Sequence, residues 1–310
     1  MRNKGRIILL IENYFFIHWA ENLICENDKC SFDINFTNNK MPFMKDHFFG
    51  GKCLIPGAML LEAMIEACAA INGSVEISDY LIKSFNVLRA VHIDVDAEYK
   101  VSIEAKVSER LDGSTYYAAE IRGNLKNSEG RTVRKNTLLA NSEIKSGKDV
   151  HQLLPEKFEF GNFTEYNIDR ETYYKGFTNT HGKLMQTLTG KIKKAEENDL
   201  VETEYLIETT ENEFSVDEGL KFILSPLGCD SILQNAVFCS FMVPCVTDDV
   251  FYSKIPVGIN GFYLKESFKQ KETYSCQTKI LKNSDEDMVL ASCVLDKRGN
   301  VIGSVEKNYT

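Results

Sequence analysis

Two stretches of the chain are apolar almost without a break, and each begins at a proline. The first runs from Pro56 through Met59, Leu60, Leu61, Met64 and Ile65 to Ala70, with Glu62 and Glu66 its only charges. Proline suits the first helical turn, where its missing N–H would have no partner, so a helix is predicted over 56–70. A helix apolar nearly all round has to be buried. The second stretch, Pro226 to Phe238, has the same character around the polar pair Asp230 and Gln234. After each helix the pattern changes to period two. Tyr99, Val101, Ile103, Ala105 and Val107 alternate with Lys100, Ser102, Glu104 and Lys106, as in a half-buried antiparallel strand. Further strands are predicted at 115–126 and 132–144 and, in the second half, at 272–282, 288–295 and 300–307. The similar spacing in the two halves points to an internal duplication. The expected fold class is α+β, with two tandem units at residues 1–150 and 151–310, each a buried helix wrapped by a mostly antiparallel sheet. Residues 145–165, with Gly147, Pro155 and Gly161, read as the connector.

Composition narrows the class. The 310 residues are 43% hydrophobic and 26% charged, which excludes collagen-like, low-complexity and wholly disordered chains. A net charge of −9 argues against a nucleic-acid binder that relies on a broad basic surface. The acidity is uneven, with a net −1 over residues 1–150 and −8 over residues 151–310. Nine cysteines, an odd number without a C-x-x-C pair, fit neither zinc spacing nor a disulfide framework. They read as small buried hydrophobes of a reduced compartment. No apolar run approaches the ~18 residues that span a bilayer. The apolar stretch Ile7–Ile11 is too short for a signal peptide and ends at Glu12. A soluble cytoplasmic protein is expected.

Candidate chemistry sits at the two helix starts. His47 lies in Asp46-His47-Phe48-Phe49-Gly50-Gly51-Lys52-Cys53-Leu54-Ile55-Pro56-Gly57, just ahead of the first helix. It can be read as a satisfied core histidine. Alternatively, Gly50-Gly51 admits a close ligand, the helix start offers unpaired N–H groups, and the apolar flanks keep the imidazole neutral, as a general base requires. Asp230 falls in the first turn of the second helix, with Gln234 four residues on and so on the same face. It reads either as a capping carboxylate or as a buried acid whose pKa the surrounding Leu227, Cys229, Ile232 and Leu233 would raise.

These residues resemble a known family. His47-x-x-x-Gly51-x-x-x-x-Pro56 is similar to the H-x-x-x-G-x-x-x-x-P signature of polyketide synthase dehydratase domains. Pro226-Leu227-Gly228-Cys229-Asp230-Ser231-Ile232-Leu233-Gln234 resembles their P-x-x-L-D-x-x-x-Q, with Cys229 at the usual leucine. Further likeness lies at Ile255–Ile259 and in the hairpin Asp296–Asn300, and the match runs from about residue 30 to the end.

The resemblance implies a double hotdog fold, with the catalytic histidine in the first hotdog unit and the catalytic aspartate in the second. It implies a hydro-lyase of polyketide or related fatty-acid-like biosynthesis. The substrate would be a β-hydroxyacyl thioester on the phosphopantetheine arm of an acyl carrier protein, and the product the α,β-unsaturated thioester. By that analogy His47 removes the α-proton and N–H groups near Gly51 or the Pro56-Gly57 helix start polarise the thioester carbonyl. Asp230, oriented by Gln234, then protonates the departing hydroxyl. No cofactor or metal is implied, and a homodimer is expected on this ground alone.

The chain departs from the family at His181-Gly182-Lys183-Leu184-Met185-Gln186, where Y-G-P-x-F-Q is usual. His181 replaces a substrate-positioning tyrosine, and reads equally as a substitute donor or as an exposed loop residue. The rival functions are a product-template-type cyclase of poly-β-keto chains, a hotdog thioesterase and a catalytically silent carrier-protein docking module. An acidic carrier protein would need a local basic patch, either Arg131, Arg134 and Lys135 or Lys191, Lys193 and Lys194.

Overall fold

The two apolar stretches form the two long helices, α1 at Gly57–Asn72 and α2 at Pro226–Met242. The computed structural model describes residues 11–49, 51–95, 97–127, 130–147, 150, 154–175, 180–197, 199–208, 211–242, 256–284 and 287–309. Pro56 stands just ahead of α1 at φ −59°, and Gly73 ends the helix in the left-handed region at φ +78°. Every residue of α1 from Ala58 to Ala70 is buried, Glu62 and Glu66 included.

The strands of the first half are β1 (Glu21–Glu26), β2 (Lys29–Phe36), β3 (Phe48–Phe49), β4 (Lys52–Leu54), β5 (Tyr80–Val87), β6 (His92–Ile93), β7 (Tyr99–Leu111), β8 (Ser114–Lys126) and β9 (Thr132–Ser146). Those of the second are β10 (Phe163–Asn167), β11 (Leu188–Ala195), β12 (Leu200–Leu206), β13 (Gly258–Leu264), β14 (Thr273–Asn283), β15 (Met288–Leu295) and β16 (Val301–Tyr309). All but the short β3, β4 and β6 join one sheet in the order β1-β2-β7-β8-β9-β5-β13-β16-β15-β14-β12-β11-β10. Every pairing within it is antiparallel.

The order has a mirror at the seam between β5 and β13. Outward from it, β9, β8, β7, β2 and β1 correspond to β16, β15, β14, β12 and β11. Helix α1 packs on β2, β7 and β8, and α2 on β12, β14 and β15. This is the α+β double hotdog plan, each helix lying in the curve of its own half of the sheet. In β7 the alternation is physical: Tyr99, Val101, Ile103 and Ala105 are buried while Lys100, Ser102 and Lys106 turn outward or to the rim. The expected connector is shorter than its sequence suggested. Residues 145 and 146 complete β9, pairing with β5 and β8, and residues 163–165 open β10, which pairs with β11.

The two charges of α1 tie distant segments to the helix. Glu66 Oε2 accepts the backbone N–H groups of Phe16 and Ile17, both at 2.8 Å. Glu62 accepts those of Ile223 at 2.6 Å and Leu224 at 2.8 Å, immediately before α2. A carboxylate in an apolar core is tolerable only with such donors. Glu62→Ala would leave two buried N–H groups without an acceptor. We expect it to lower unfolding free energy by roughly 2–5 kcal/mol in urea titrations, and Glu62→Gln, which keeps an acceptor oxygen, to lower it less.

Candidate active site

A cavity of about 360 Å³ opens between the starts of both helices and the β5–β13 seam. Its wall is mostly apolar, from residues such as Leu54, Leu60, Phe85, Val91, Leu233 and Val237. The polar groups on it are few: His47, Thr180, His181, Asp230 and Gln234.

His47 follows a 3₁₀ turn at Pro42–Asp46 and precedes β3. Its backbone bridges His181 in antiparallel fashion: Phe48 N–H donates to Thr180 O and Gly182 N–H to Asp46 O, both at 2.7 Å. Gly182 is required by this approach, because a Cβ there would overlap the Asp46 carboxylate. The two imidazoles therefore meet edge to face, ring centroids 5.0 Å apart. His47 Nδ1 lies 2.7 Å from Leu54 O. A carbonyl only accepts, so Nδ1 carries the hydrogen and Nε2 of the neutral ring keeps its lone pair. Burial pushes the His47 pKa down to about 4, with the His181 ring adding to the effect and Asp230 opposing it.

Asp230 is buried in the first turns of α2, its carboxylate oxygen Oδ2 3.5 Å from His181 Nε2. A chain of hydrogen bonds sets its partner. The backbone N–H groups of Thr187 and Leu188 each donate to the Tyr174 hydroxyl oxygen at 2.9 Å. Burial holds that hydroxyl up at about 12, so it keeps its proton and donates to Gln234 Oε1 at 2.7 Å. The Gln234 amide nitrogen must then face the other way, and it donates to Met185 O at 2.8 Å and Asp230 Oδ2 at 2.7 Å. The expectation that burial would raise the Asp230 pKa is overturned. Desolvation does act that way, but hydrogen bonding and charge from His181, then His47 and Gln234, outweigh it and hold the carboxyl below its usual value.

The remaining expected site residues separate into two groups. Gly57 lines the cavity at the start of α1, where helix geometry leaves its N–H without an intrahelical acceptor, and buried Pro56 precedes it. Gly51 does not line the cavity; it takes φ +78° in the turn between β3 and β4, a conformational role that glycine fills readily. Gly50, like Ile255, lies outside the described residues, whereas Pro256, Val257, Gly258 and Ile259 line the cavity wall. Tyr174 and Thr180 escaped the sequence reading, since neither has a local pattern that marks it. Of the two basic patches, the second is largely neutralised: Lys191 meets Glu204 at 2.9 Å and Lys193 meets Glu202 at 3.3 Å. Arg134 and Lys135 stand exposed on β9.

Potential ligand atoms of His47, His181 and Asp230 lie within 4.8 Å of one another, the one such group of three among the described residues. Such a donor set would suit a cation. Asp230 Oδ2 also accepts from the Gln234 amide. No helix among the described residues is long and apolar enough to cross a membrane.

A family model described as the polyketide synthase dehydratase domain matches residues 21–121. No curated protein matches the sequence. Among solved structures, the dehydratase domain of the CurJ module of curacin polyketide synthase superposes with a TM-score of 0.69 at 14% identity, covering 96% of each chain. A trans-AT polyketide synthase dehydratase domain from Brevibacillus brevis gives 0.68 at 16% identity, over 94% of this chain and 96% of that one. The dehydratase domain of the polyketide PpsC from Mycobacterium tuberculosis gives 0.67 at 13% identity, over 94% and 97%. The resemblance to polyketide synthase dehydratase domains thus holds in sequence over residues 21–121 and in fold across nearly the whole chain. At these identities the structural likeness establishes the double hotdog fold.

The Tyr174 relay has a direct test. Tyr174→Phe would leave Gln234 Oε1 and two backbone N–H groups without their partner, at a cost of about 1–3 kcal/mol for each group in urea unfolding.

Proposed function

We propose that this protein is a cytoplasmic dehydratase that converts a β-hydroxyacyl thioester, carried by an acyl carrier protein, into the α,β-unsaturated thioester. One observation carries this reading: a dry, neutral histidine with Nδ1 committed to a backbone carbonyl shares one mostly apolar cavity with the Asp230–His181 pair. In this mechanism His47 Nε2 takes the α-proton. The electron pair moves onto the thioester oxygen, held by the Gly57 N–H at the start of α1. Collapse of that enolate breaks the Cβ–O bond, and the leaving oxygen takes a proton on the side of Asp230 and His181 to depart as water. The mostly apolar wall supports an alkyl chain in preference to a polyhydroxylated one, because few of the described lining residues could bond hydroxyl groups. For an acidic carrier protein we favour the exposed cations Arg134 and Lys135, since Lys191 and Lys193 are engaged by glutamates.

The test is to offer a β-hydroxyacyl thioester on carrier protein or on pantetheine and follow its intact mass. Loss of one water is expected, and His47→Ala should cut kcat by ~10²–10⁴. Release of free thiol would make the protein a thioesterase instead, and turnover surviving His47→Ala would overturn the mechanism. The base works only when neutral, so the acid limb of kcat/KM should rise with pH through about 4. An ordinary histidine would give a break near ~6.5. Dialysis against EDTA should leave the rate unchanged; a loss restored by Zn²⁺ would contradict the metal-free reading.

A further inference from the structure

We infer, on the dehydratase reading above, that the proton given to the departing hydroxyl is carried by Nε2 of His181, while Asp230 positions that ring. The argument starts from the hydrogens whose places are forced. Two backbone N–H groups point at the Tyr174 oxygen, so the Tyr174 hydrogen goes to Gln234 Oε1. The Gln234 nitrogen then points at Met185 O and at Asp230 Oδ2. Oδ2 is therefore an acceptor, and the same oxygen is the one that faces His181 Nε2 at 3.5 Å. An oxygen that accepts one amide N–H and has an imidazole nitrogen beside it is favoured as carboxylate.

His181 is arranged for the complementary state. Its Nδ1 lies 2.7 Å from Thr180 Oγ1, which can accept, and its Nε2 faces Asp230. Both N–H groups of an imidazolium are thus provided with acceptors. His47 is different: its Nδ1 is committed to a backbone carbonyl, and its Nε2 has a lone pair to offer. The two rings, locked edge to face by the backbone bridge between residues 47 and 181, form an unlike pair of base and acid.

The step balances as follows. The Cα–H bond breaks and its proton goes to His47 Nε2. The electron pair becomes the second bond of the alkene as the Cβ–O bond breaks, and the leaving oxygen takes the His181 proton to become water. His47 then gives up a proton and His181 regains one by exchange with solvent.

A leaving group that needs no proton separates this role from a structural one. Paired substrates would be a β-hydroxyacyl and a β-chloroacyl pantetheine thioester, each with the uncatalysed rate subtracted. His181→Gln keeps a neutral N–H donor, and His181→Ala removes it. We expect either variant to lose ~10²–10³ in kcat on the hydroxy substrate and to stay within about threefold on the chloro substrate. His47→Ala should lose both. Equal losses on both substrates in the His181 variants, or full activity on the hydroxy substrate, would overturn the assignment and leave the dehydratase reading standing. If the unaltered protein turned over neither substrate, the dehydratase reading itself would fall, and this assignment with it.

Discussion

The relation between the two halves depends on one buried carboxylate. Glu62, in the middle of α1, holds the N–H groups of Ile223 and Leu224, which lie 161 and 162 residues away along the chain. Those residues lead through Ser225, at φ +40°, directly into Pro226 and α2. The position of Asp230 is therefore set from α1, whose own start follows the β3–β4 hairpin that His47 precedes. The β5–β13 seam fixes the same relation from the sheet side. A polar group deep in apolar packing acts here as a spacing device, because its two donors leave it little freedom to shift.

Within the cavity, the same dryness has opposite results for two neighbouring groups. Desolvation always opposes charge, and for His47 it prevails, leaving a neutral ring. For Asp230 it is outweighed by donors supplied from His181 and Gln234. Burial alone did not decide either case; the partner set did.

This explains how far the sequence could be read. The helices, the period-two strands and the mirrored plan were visible because they follow from local patterning, and β15 falls where it was expected, at Met288–Leu295. His47, Asp230 and Gln234 were legible as motif residues, and the cavity does bring them together with His181. The charge of Asp230 was misread because its apolar sequence neighbours are visible in the chain, whereas the His181 imidazole lies 49 residues away. Glu62 looked like an interruption in an apolar helix for the same reason. Gly51 matched a motif, but its place is a turn and not the cavity wall.

The mirrored plan is equal in architecture and unequal in chemistry. Four residues beyond its proline, α2 carries Asp230, whereas α1 carries Leu60 at the same offset. Nine residues before its proline the first half has His47, whereas the second has Asp217, at the surface against His18. Duplication created two equivalent places for a reaction centre, and each half retains a different fragment of one. What results is one cavity for each pair of hotdog units, with a wall drawn from both.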